Sequence, residues 1–140
     1  LNHLPDERAL AGCFASVRDA LEPGGHFVFD LNTPLGLARW NGINVEENDE
    51  VTIINRGIYA PGAERAFTSI TGFLRRADGA WDRFREVAYE TVFPHDRVVD
   101  LLVRAGFADV ATFAAEDLTT PVDDVAGLPR VFYTCTRSTS

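Results

Sequence analysis

Lysine and methionine are absent from this chain of 140 residues, and only two cysteines occur. Without lysine there is no Schiff-base chemistry and no amine nucleophile. All thirteen basic residues are Arg, dispersed along the sequence, which reads as the codon bias of a GC-rich genome. Cys13 and Cys135 lie far apart without CxxC spacing, which argues against a zinc site or a redox pair and leaves them as small buried hydrophobes. His26 and His95 have no partner at ligand spacing either, so no metal is assigned. No apolar run approaches the ~20 residues of a membrane span, and the opening residues do not read as a signal peptide. A net charge of -8 opposes both non-specific nucleic-acid binding and attachment to an anionic membrane. A cytoplasmic protein with neither partner is expected.

What is present reads as one α/β domain over 1–140, with a composition of 46% hydrophobic and 24% charged residues that is ordinary for a folded protein. Pro5 and Asp6 open a helix whose apolar face is Leu10, Cys13, Phe14, Val17 and Leu21. Pro23-Gly24-Gly25 stop it. His26–Leu31 follows as a short, nearly continuous hydrophobic run, expected to be a strand buried on both faces. Residues 35–50 read as an irregular or partly helical linker. An inserted antiparallel sheet occupies about 49–93, with three β-rich runs at Val51–Tyr59, Arg65–Arg76 and Trp81–Phe93. Pro61-Gly62 and Asp78-Gly79 turn between them, giving a three-stranded meander with one buried face. Pro94-His95-Asp96 open a second helix, which Gly106 ends. Val110–Ala115 and Val131–Thr136 are strands, and 116–129 is a loop.

Three stretches in this order resemble the class I S-adenosylmethionine (SAM) dependent methyltransferases. Leu1-Asn-His-Leu4 with its helix is similar to the segment after the fourth strand of that family. Leu21-Glu-Pro-Gly-Gly-His-Phe-Val-Phe-Asp-Leu31 is similar to its L-x-P-G-G turn into the fifth strand, the most specific signal here. Val99–Phe107 is similar to its helix ending in A-G-F before the sixth strand, and Val131–Thr136 stands where the seventh would. The resemblance covers nearly the whole chain and implies the C-terminal part of a Rossmann-like methyltransferase fold, strands five to seven. The inserted sheet is similar to that of small-molecule methyltransferases, some amino-sugar N-methyltransferases among them. The family's glycine-rich loop and its ribose-binding acid do not occur in this chain. The resemblance therefore implies that SAM is bound mainly by an N-terminal half, and that the chain alone is incomplete and inactive. The absence of Met and the opening at Leu1, inside what reads as a strand-to-helix transition, also read as a fragment.

SAM carries an activated methyl group, so the protein need only position the acceptor and, where required, supply a base. On the resemblance, Asn2 and His3 border cofactor and substrate, with His3 as candidate general base, since imidazoles titrate near neutrality. Loop or capping roles are the bland alternative for both. Asn32, past the C-terminal end of the strand where open α/β sheets take ligands, is a candidate substrate contact. Asp30 beside it reads as a strand-end carboxylate. Trp40, Tyr59, Trp81 and Tyr89 are candidates for an aromatic substrate wall or for plain packing. Arg75-Arg76 beside Asp78 reads as a solvated hairpin end. Removing a fourth strand leaves 26–31 as an exposed edge, so self-association or pairing with an N-terminal half is expected. Two functions stay open: a methyltransferase acting on a small-molecule acceptor, and a non-catalytic binding or dimerisation module derived from that fold.

Overall fold

In the computed structural model, which describes residues 1–139, the chain folds as two antiparallel sheets and three helices. Helix α1 spans Glu7–Ala20. The Asp6 carboxylate caps it by accepting from the Ala9 N–H at 2.8 Å, satisfying one of the orphan donors of the first turn. After Leu21 the chain turns through Gly24, whose φ of 79° lies in the left-handed region that a side chain resists. Strand β1 follows at His26–Asn32, then a short helix α2 at Pro34–Ala38, capped by the Thr33 hydroxyl. Strands β2 (Gly42–Glu47), β3 (Val51–Ile58), β4 (Arg65–Arg75) and β5 (Trp81–Thr91) form an up-and-down meander. Helix α3 (His95–Arg104), then β6 (Phe107–Ala114), β7 (Asp117–Pro121) and β8 (Arg130–Arg137) complete the chain.

The first sheet has the order β1-β8-β6-β7. Strand β8 runs antiparallel to both β1 and β6, so those two are parallel to each other. Helices α1 and α3 cover one face. Leu10 and Phe14 from α1 and Val98 and Leu102 from α3 are fully buried against Phe29, Leu31, Phe107, Val131, Tyr133 and Cys135. Each such side chain contributes about 1.5–3 kcal/mol on leaving water. The rings of Phe29 and Tyr133 stack at 4.9 Å across the β1–β8 ladder. The Arg97 guanidinium grips both Glu7 oxygens across the two helices, which holds the Glu7 carboxyl below its ordinary range.

Four expectations change. Strand β1 is buried on one face only: Phe29 and Leu31 point into the core, but Val28 on the other face is 60% exposed. The meander has four strands, because Gly42–Glu47 joins it by pairing with β3. Its one alternation, Ile43 and Val45, is too short to mark a strand by itself, and the neighbouring strand recruits it. Likewise Asp117–Pro121 is a short strand beside β6, where a loop is expected from sequence. Finally, neither face of the meander is covered. Apart from Gly72 under the Phe84 ring, its buried residues lie at its base, at Tyr59, Ala66, Glu90 and Thr91, whereas Ile43, Val45, Phe67, Trp81 and Val87 are exposed.

The meander's faces differ in charge. The ladder register puts Arg56, Arg65, Arg75, Arg83 and Arg85 on one face, with Glu47 its one acid. The other face carries Glu46, Asp82, Glu86 and Glu90 and no Arg.

Candidate functional site

The C-terminal ends of β1 and β5 meet under the first residues of the chain. Asn2 is 5% exposed and makes the joint. Its side-chain N–H groups donate to the carbonyls of Asn32 (3.1 Å) and Thr91 (3.0 Å), and its Oδ1 accepts from the Asn32 N–H at 2.8 Å. The Asn2 carbonyl accepts from the Thr91 N–H at 2.7 Å. Buried polar groups are costly unless paired, and this residue pairs three strand-end groups with one side chain. Both amide donors of Asn2 are thereby committed within the fold.

The next residue, His3, stands exposed above the joint. Its Nδ1 lies 3.0 Å from the Tyr89 carbonyl. A carbonyl only accepts, so Nδ1 carries the hydrogen, and Nε2 of the neutral ring presents a lone pair. Facing Nε2 at 4.0 Å is Oε1 of Glu90, a carboxylate whose side chain is 10% exposed. The other Glu90 oxygen accepts from Asn32 Nδ2 at 2.8 Å. Asn32 Oδ1 in turn accepts from Arg130 Nε at 3.2 Å, and Arg130 also pairs with Asp30 at 3.3 Å. A hydrogen-bonded row thus runs Arg130, Asn32, Glu90, and across a 4.0 Å gap, too wide for a direct hydrogen bond, the Glu90 oxygen faces the second acceptor, His3 Nε2.

Of the residues expected from sequence, Asn2, His3 and Asn32 come together here. Tyr59 lies nearby but buried, packed with Leu37 and Ala66, its backbone tied at both ends to the Asn41 side chain. It lines a cavity of about 580 Å³ together with Pro34, Arg65, Val92 and Phe93. Trp40 lies elsewhere, in a separate hollow with Asn44, Asn55 and Thr68. Trp81 is at the far end of the meander, next to its last turn. Tyr89 contributes its carbonyl to His3, and its ring lies under Arg65 at 4.7 Å. Sequence reasoning passes over Glu90 and Arg130. Glu90 sits in a strand already rich in exposed charge, and only its place at the buried end sets it apart.

A second cavity, of about 540 Å³, opens at the same end of β1. It is lined by Asn32, Leu35, Phe93, His95, Val125 and Tyr133 among others. The Tyr133 hydroxyl lies 3.1 Å from His95 Nδ1. Burial pushes the Tyr133 phenol up to about 12, so it stays protonated at neutral pH, and the tautomer of His95 sets which of the two groups donates. Among the described residues no three His, Cys, Asp or Glu side chains are grouped to hold a metal, and no helix is long and apolar enough to cross a membrane.

No family model and no curated protein matches the chain. Solved structures do. A S-adenosylmethionine-dependent methyltransferase from Clostridium acetobutylicum superposes with a TM-score of 0.78 at 20% identity, covering 98% of this chain and 54% of that one. The sugar N-methyltransferase KedS8 from a Streptoalloteichus species gives 0.68 at 19% identity, covering 98% and 52%. DesVI from Streptomyces venezuelae gives 0.68 at 18%, covering 98% and 54%. The fold is thus that of SAM-dependent methyltransferases, and the chain spans about half the length of these structures.

Proposed function

We propose that this chain is the C-terminal half of a SAM-dependent methyltransferase acting on a small-molecule acceptor. The observation that carries the reading is the strand order β1-β8-β6, with β8 reversed, placed beside the His3–Glu90–Asn32 row at the C-terminal end of β1. Open α/β sheets take their ligands at that end. SAM supplies an activated methyl group when bound. Its main seat would lie outside these residues, with His3 bordering it. In this reading His3 Nε2 accepts a proton from the acceptor, and Glu90 holds the resulting imidazolium. Asn32 and Tyr59 would contact the acceptor from the two cavities they line, and Trp40 from its separate hollow. An N–H-bearing acceptor suits the two facing oxygen and nitrogen lone pairs, in keeping with the sugar N-methyltransferase among the similar structures.

A second reading is a non-catalytic pairing module, favoured by the open edge of β1 with the exposed Val28. Under either reading residues 26–31 would pair with an N-terminal half or a second copy. Calorimetric titration with S-adenosylhomocysteine separates the two. No heat from the folded chain alone, and saturable binding once the upstream half is joined to it, supports the methyltransferase. Absence of binding by the joined protein would remove it and leave the module.

A further inference from the structure

The arginines that look dispersed in sequence are gathered in space. Arg56 on β3 and Arg83 and Arg85 on β5 line one hollow of about 300 Å³ on the meander's basic face. Its other lining residues are Ser69 and Thr71, which bring hydroxyls, and the apolar Ile54 and Phe73. Among the described residues none of these three guanidiniums has a carboxylate partner, whereas Arg18, Arg76, Arg97, Arg104 and Arg130 do; Arg8, Arg39, Arg65, Arg75 and Arg137 also have none, but they do not share one hollow. Arg85 makes one long contact, Nε to Ser69 Oγ at 3.4 Å.

This arrangement is unfavourable as a free surface. Like charges at neighbouring positions of one sheet face repel, and cross-strand ion pairs are the ordinary remedy. The chain has the acids for that remedy, yet Glu46, Asp82 and Glu86 stand on the opposite face. An anion bound among the three arginines would remove the repulsion. Guanidinium forks match phosphate oxygens bidentately, and the hydroxyls complete the donor set. The anion is short. The hollow of about 300 Å³ has room for one or two phosphate groups with an apolar neighbour and not for a longer chain.

We propose that Arg56, Arg83 and Arg85 form a binding site for a short phosphate-bearing small molecule. The site lies five residues along β5 from Glu90, roughly 17 Å at the rise of a strand. It is therefore separate from the His3 row, and its existence does not depend on the methyltransferase reading.

The test is titration of the folded chain with inorganic pyrophosphate, followed by amide and arginine NMR shifts at constant ionic strength. Saturable shifts confined to β3, β4 and β5 around Ser69 and Thr71 are expected. The double substitution R83Q/R85Q should weaken binding at least tenfold while leaving the spectrum of the first sheet unchanged, which establishes that the variant is folded. Absence of saturation, or binding that survives R83Q/R85Q, overturns the site. So does tighter binding of a single-stranded oligonucleotide than of pyrophosphate, which would assign the face to nucleic acid. Sedimentation of the same samples covers the remaining occupant: a dimer that dissociates in R83Q/R85Q would assign the face to a second copy. The S-adenosylhomocysteine titration is read separately, so either result can fail while the other stands.

Discussion

Asn2 treats Asn32 as a neighbouring strand residue would. It returns both backbone hydrogen bonds of Asn32 from one side-chain amide, at 2.8 and 3.1 Å. The same amide reaches the Thr91 carbonyl of the other sheet. Asn2→Ala leaves these groups without partners in a buried place. At about 1 kcal/mol net per hydrogen bond, a loss of about 2–3 kcal/mol is expected. Urea unfolding of the two proteins checks it through the shift in midpoint at constant slope. A change within 0.5 kcal/mol, the ordinary scatter of about that size for surface substitutions, would mean that the joint carries no stability.

His3 and Glu90 can be separated by their variants. In a protein carrying both halves of the fold, His3→Ala is expected to lower kcat on the order of 100-fold, the usual contribution of a positioned base. Glu90→Gln keeps the Asn32 contact but removes the charge, and a smaller loss of about tenfold is expected. The KM for SAM should stay within about threefold in both, since neither change removes ground-state binding. A His3→Ala protein with unchanged kcat would take His3 out of the chemistry.

Alkaline titration reports on the core. Burial raises the Cys135 thiol from 9.0 to about 11 and the Tyr133 phenol from 10.0 to about 12. For each group the unfolded chain ionises first as pH rises, so the folded state binds more protons within the window. Stability therefore falls, between pH 9 and 11 for the thiol and between 10 and 12 for the phenol. Tyr133→Phe is expected to flatten the upper part of that decline in pH-dependent urea unfolding. At neutral pH an aromatic disulfide reagent should label the half-buried Cys13 well ahead of the buried Cys135, with both labelled in denaturant.

The open edge of β1 gives a fourth expectation. Val28→Lys places a charge, the usual defence against edge pairing, on the open stretch of a strand whose outer edge is covered only at its end, where Leu1 and Asn2 bond Asp30 and Asn32. Sedimentation at rising concentration should show the parent chain associating and the variant staying monomeric. A parent chain that is monomeric throughout would remove edge pairing between copies.

Much of the α/β framework was legible from the residues because local and tertiary preferences agree there. Asp6, Gly24 and the Leu10–Phe14 spacing mark α1, and Gly106 with a φ of 92° ends the segment after α3. The turns at Gly62 and Gly79 likewise carry positive φ. Elements made by pairing alone were not legible. Gly42–Glu47 is exposed throughout and has no periodic burial to betray it. The site was half legible. Asn2, His3 and Asn32 fall near strand ends that the pattern locates. Glu90 lies 58 residues from Asn32 in sequence, and only the fold of the meander brings the two into contact. The arginine hollow was invisible for the same reason: alternation along β5 puts Arg83 and Arg85 on one side, but Arg56 joins them through the register of two ladders.

The segregation of charge across the meander also bears on handling. A protein of net charge -8 is expected to pass through a cation-exchange column at neutral pH. This one carries five arginines on a single exposed sheet face, with the acids turned away from it. Adsorption depends on the patch that meets the resin, not on the sum over the molecule. The chain should therefore be retained by cation and anion exchangers alike, each gripping an opposite side of the same thin sheet.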